Sequence, residues 1–157
     1  MRRSWQNPSN QLYKLLQGCK EPCGSWVYHA LKFLPPELFG EWKDKLAFYS
    51  TTGRDACRVS RSISQEREII LLSERIVPSD TGNVWAARYF IFAVLHDIAH
   101  AVRNHKPPGE IADNQAQEDE ADKIALAWFN EHVQEKGHPD FKKLTMEEVD
   151  TARRIKK

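Results

Sequence analysis

A chain of 157 residues with 41% hydrophobic and 29% charged residues can bury a core of its own, which excludes a disordered segment and makes one globular domain the default. A net charge of +1 supplies no general field for nucleic acid or a membrane surface. Three cysteines (Cys19, Cys23, Cys57) are too few and too unevenly placed for a disulfide frame, and fit the reduced thiols of a cytoplasmic protein.

The opening MRRSWQNPSN carries positive charge with no apolar run behind it, so it does not read as a secretory signal. Leu12, Leu15 and Leu16 share a helical face, with Gly18 as the expected stop. Ser25 is placed to cap SWVYHALKFL, which must end before Pro35–Pro36. A further turn follows in PPELFGEWKDKL, and Trp26, Phe39 and Trp42 read as core. Cys19-x3-Cys23 has a loose metal-ligand spacing but no second pair to complete four ligands. The helical part is thus expected over 1–45.

Strands are expected over about 46–78. LAFYSTT, ACRVSRSI and REIILLSERIVP alternate with turn signals, and Ile69–Leu72 should be buried on both faces. Arg54, Arg58 and Arg61 lie among them and read as solvated strand faces. Ser79, Asp80 and Asn83 are each possible caps for the helix that follows.

The remaining helices are expected over about 84–136. VWAARYFIFAVLHDIAHAVR is apolar nearly all round and should run through the centre of the domain, with Pro107–Pro108–Gly109 ending it. Its apolar run is too short to cross a bilayer. NQAQEDEADKIALAWFNEHVQEK presents Ala121, Ile124, Ala125, Trp128 and Val133 inward and stops at Gly137. Thr145 with Glu148 forms a capping box for a last helix, whose basic residues Arg153, Arg154, Lys156 and Lys157 read as a solvated terminus. Helices, strands, then helices describe an α+β fold.

His96 and His100 stand four apart on the central helix, one turn apart on one face, the spacing that lets two imidazoles reach one metal ion. The competing description is two core histidines satisfied by hydrogen bonds. Asp97 follows the first histidine, where zinc peptidases with H-E-x-x-H carry their glutamate base. A third ligand is available from Glu118, Asp119, Glu120 and Asp122. Glu118 and Asp122 are i and i+4, so one carboxylate can bind metal while the other receives the N–H of a ligand histidine. A solvated acidic first turn, favoured by the helix dipole, is the plain alternative.

From about Glu68 to Asn130 the chain resembles the ImmA/IrrE family of small zinc metallopeptidases: REIILLSERIVP, then VLHDIAHAV, then QEDEADKIALAWF, the last similar to that family's E-x-E-A-D/N-x-x-A signature. The resemblance implies a minimal zincin-like fold, with a small sheet packed on the histidine-bearing helix. It implies Zn2+ held by His96, His100 and Glu118, with Glu120 as substitute third ligand, Asp122 supporting, and Asp97 as catalytic base acting on a peptide or protein substrate. The family carries glutamate where Asp97 stands, which leaves a slower peptidase and a metal-stabilised fold without catalysis both open.

LHDIAH also looks like the signature of HD-domain phosphohydrolases, which would recruit His29, His96, Asp97 and Asp122. That fold is all-helical and gives His100 no task. A third reading is a regulatory, partner-binding domain on the same scaffold. His105, His132 and His138 read as surface residues.

Overall fold

The computed structural model describes residues 12–52, 57–59, 67–79, 82–106, 110–111, 113–138 and 141–156. In chain order the elements are α1 (Tyr13–Leu16), α2 (Cys23–Leu31), α3 (Pro36–Trp42), β1 (Leu46–Thr51), β2 (Cys57–Val59), β3 (Glu68–Ser73), a 3-10 turn (Glu74–Ile76), α4 (Val84–Val102), α5 (Gln115–Lys136) and α6 (Met146–Lys156). The expected α+β class holds.

The three strands lie in the order β1-β3-β2, with β1 parallel and β2 antiparallel to β3. Ile70 and Leu72 are fully buried, while Ile69 and Leu71 are half-buried, so the sheet is dry on one face and half-covered on the other. β3 stops at Ser73, short of the expected Pro78, because the Ser73 hydroxyl accepts from Arg75 N at 3.2 Å and starts the 3-10 turn. α1 stops just before Gly18, as expected, and the glycine has a second use. Its backbone pairs with Tyr49 on β1, and a Cβ there would sit 2.3 Å from the Tyr49 ring. Only a residue without a side chain allows that approach. Ser25 is not the cap expected of it: α2 begins at Cys23, and the Ser25 hydroxyl donates to Glu21 Oε2 at 2.7 Å inside the first turn.

α4 is the hub, touching α2, α5, β2 and β3. Burial of Phe90, Ile91, Phe92, Val94, Leu95, Ile98 and Ala101 on one helix follows from its all-round apolar sequence. Of its expected caps, Asn83 fills the position, accepting from Ala86 N at 3.0 Å. Ser79 lies outside the helix, and Asp80 outside the described residues. α5 lays Ala121, Ala125, Phe129 and Val133 against it, four residues apart. Ile124 and Trp128 are half-buried, and Gly137 ends the helix in the left-handed region at φ 57°. Trp26, Phe39 and Trp42 pack half-buried against the core.

The capping box is as expected: Thr145 N donates to Glu148 Oε2 at 2.9 Å and Glu148 N to Thr145 Oγ1 at 3.2 Å. Glu148 also holds the buried Arg88 of α4 at 3.1 Å. Asn130 of α5 makes reciprocal hydrogen bonds of 2.9 and 2.7 Å with the Leu144 backbone. These ties fix the start of α6 and so the path that carries Arg153 back to α5. No helix among the described residues is long and apolar enough to cross a membrane.

Candidate metal centre

Where α4 and α5 pack together, His96 Nε2, His100 Nε2 and the Glu118 carboxylate converge. The nitrogens are 3.0 Å apart; His96 Nε2 lies 3.2 Å from Glu118 Oε2 and His100 Nε2 3.3 Å from Oε1. All three side chains offer a ligand atom within one 4.8 Å group, the single such group among the described residues. Ligands bonded tetrahedrally to zinc at about 2.1 Å stand about 3.4 Å from one another. The observed separations come close to that figure, so the donor set fits the ion. The imidazoles are largely buried, with side chains 12% and 13% exposed, while Glu118 at 35% marks the open side.

Each histidine is backed on its far side. His96 Nδ1 stands 2.8 Å from Asp122 Oδ1, yet off line for a hydrogen bond, so the contact is one of charge and position. Asp122 is clamped by both terminal nitrogens of Arg153, at 2.8 and 2.6 Å. Behind His100, its Nδ1 meets His105 Nδ1 at 2.9 Å, and His105 Nε2 meets Glu120 Oε2 at 2.7 Å. Arg103 Nε donates to Glu120 Oε1 at 2.8 Å.

The charges follow this layout. Burial pushes His96 down, but Asp122 and Glu118 outweigh it and raise its pKa to about 9. Contacts with His100 and His96 hold Glu118 well below the usual carboxylate range. Asp122 is also lowered: burial opposes ionisation there, and the Arg153 and His96 contacts overcome it. His96 thus sits between two carboxylates that favour its protonated form.

Glu120, the substitute third ligand, is committed instead to His105 and Arg103. Asp119 accepts from Gln115 at 2.8 Å, apart from the cluster. Asp97 is buried, 9% exposed, on the turn between the two histidines; its charge acts on His96 and Tyr89. His29 is not brought to His96. Its ring neighbours are Trp26, Phe33, His138 and Phe141, and it lines a cavity of about 800 Å³ with Val84 and Ala87 at the other end of α4. Among the described residues, the group that could hold a metal with His96 is His100 and Glu118, and His29 is not part of it. His132 packs on the Phe33 ring and His138 stacks on Phe141. Cys19 and Cys23 are buried, and contact with Cys23 followed by burial drives the Cys19 thiol far up, the reverse of what a metal ligand needs. Pro107–Pro108–Gly109, Arg54 and Arg61, with the Arg58 side chain, lie outside the described residues.

His105 and Arg153 are the participants that sequence reasoning assigned to the solvated surface. A signal for His105 was present in Asn104, a residue type suited to the left-handed turn that closes a helix. Nothing local marks Arg153, which lies 31 residues from Asp122 in sequence, across the rest of α5, a loop and the first turns of α6. Comparison with protein-family models, with curated proteins and with solved structures finds no match.

Proposed function

We propose that the chain is a zinc hydrolase of the zincin type, cleaving peptide bonds. The observation that carries this reading is the trio of His96, His100 and Glu118 at near-tetrahedral separations. Three protein ligands on the ion leave a fourth position for chemistry, the arrangement of catalytic rather than structural zinc. Zinc there supplies a Lewis acid and a water acidified toward neutrality. Asp97, one residue beyond His96 and buried, takes the proton that the attacking water loses. Asp122 and Arg153 hold His96 in place from behind. Together with the small sheet and the acidic motif of α5, these features support the resemblance to the ImmA/IrrE peptidases, and a peptide or protein as substrate.

The test is metal analysis of the purified protein, followed by cleavage assays on a mixed peptide library with and without a zinc chelator. About one zinc per chain, with cleavage lost on chelation and restored by zinc, is the expected result. Zinc without cleavage would remove the peptidase and leave the metal centre.

Proton competition adds a second expectation. The folded pKa of His96, about 9, lies above its ordinary 6.5. In the metal-free protein this group's stabilisation is complete below about 6.5 and is lost as pH rises through about 9. Zinc must displace that proton, so its affinity moves the opposite way, tightening by about tenfold per pH unit across the window. Titration against a competing chelator at several pH values measures the slope, and a flat profile rules the displacement out.

A further inference from the structure

We infer that His105 is a positioning residue for the metal centre: with Glu120 it forms a one-way hydrogen-bond relay that fixes the tautomer of His100 and so turns its Nε2 lone pair into the cluster. This rests on the metal-centre reading above.

The relay begins in backbone geometry. α4 closes with Asn104 at φ 53°; His105 N donates to His100 O at 3.0 Å and Asn104 N to Ala101 O at 3.1 Å. That pair of bonds is the Schellman motif, in which the residue after the left-handed one characteristically packs against the residue five before it. In most helices that contact is hydrophobic. Here it is one imidazole against another, His105 on His100, with rings 5.0 Å apart and nearly perpendicular. Gln117 of α5 holds the next residue by both edges, its amide bonding Lys106 N at 3.0 Å and Lys106 O at 3.2 Å. The buried His105 ring, 7% exposed, is therefore held from both sides.

The direction of the relay follows from what each group can do. A carboxylate only accepts, so Glu120 takes the Nε2–H of His105. Neutral His105 then has only a lone pair on Nδ1, which must accept from His100 Nδ1–H at 2.9 Å. That leaves His100 Nε2 unprotonated, 3.0 Å from His96 Nε2 and 3.3 Å from Glu118 Oε1. That lone pair can accept a proton from His96 Nε2 in the metal-free protein, and it is the electron pair a metal ion would take. Arg103 fixes the far end by its 2.6 Å contact with Glu120. Hydrogen bonds of this kind orient a ligand histidine and raise its basicity, and their loss costs about 10–100-fold in metal affinity.

The experiment reads the relay with and without metal. In the zinc-free wild type, long-range proton–nitrogen NMR of the imidazoles should show His100 protonated on Nδ1 and bare on Nε2. In His105→Phe, which keeps a ring of similar size and deletes the acceptor, that preference should vanish and zinc affinity fall by about 10–100-fold. His105→Asn, with a carbonyl near the Nδ1 position, should recover part of the loss. Glu120→Ala, at the exposed end and safe for the core, should scramble the His105 tautomer and weaken zinc in the same sense. A wild-type His100 protonated on Nε2, or a folded His105→Phe or Glu120→Ala that binds zinc as tightly as wild type, overturns the relay. Wild type that binds no zinc overturns the proposed function instead, while the protonation of His100 in the zinc-free protein still decides the relay.

Discussion

His100→Ala is expected to purify without stoichiometric zinc, where the wild type carries about one per chain. The loss should exceed the roughly 100-fold attached to an outer partner, because this substitution removes a ligand atom and also strips His105 of its donor. His96→Ala should match it, by losing a second ligand and leaving Asp122 facing Arg153 alone. His138→Ala, at a residue stacked on Phe141, should keep full zinc and serves as the control. Elemental analysis of the three variants beside wild type decides the point. Retention of zinc by His100→Ala would refute the site, since no other group of three such side chains among the described residues lies close enough to hold an ion. The reason the effect is large is geometric. With one imidazole gone, two protein ligands remain on a site whose separations of 3.0 to 3.3 Å fit three.

How much of this was legible in the sequence depends on the range of each interaction. Helix-period signals are local, so the His96–His100 pair, the inward face of α5, the Gly137 stop and the Thr145–Glu148 box could all be read from spacing. The Glu118–Asp122 division was readable as a possibility, because i and i+4 carboxylates share a face. Which acid meets which histidine is decided by the rotation of α5 against α4, and no local pattern encodes that. Glu120 shows the limit: by composition it was as good a ligand as Glu118, yet it lies two residues round the helix and is drawn to His105 and Arg103. The end of α4 was legible, expected near Arg103 and observed at Val102; what helical spacing does not encode is the left-handed Asn104 that turns His105 back onto His100. Arg153 reaches Asp122 only through the ties of Arg88 to Glu148 and Asn130 to Leu144, which are contacts between distant parts of the chain.

Asp97→Asn is expected to keep zinc and lose about 100- to 10,000-fold in kcat/KM for peptide cleavage, the range associated with removal of a general base. The substitution is nearly isosteric and lies outside the trio of metal-binding side chains, so stoichiometry by elemental analysis should match the wild type. It also lowers the negative charge acting on His96 and Tyr89, and the His96 proton should come off at lower pH as a result. Zinc would then compete with that proton more easily, and affinity near neutrality should hold or rise slightly while activity collapses. That divergence separates a base from a ligand. An HD phosphohydrolase would use Asp97 as a metal ligand, so asparagine there would cost metal and activity together. Asp97→Glu adds one methylene toward the cluster and should preserve or raise cleavage if reach is what limits the aspartate. Activity unchanged in Asp97→Asn would remove the aspartate from the chemistry and leave a metal centre whose proton acceptor lies elsewhere.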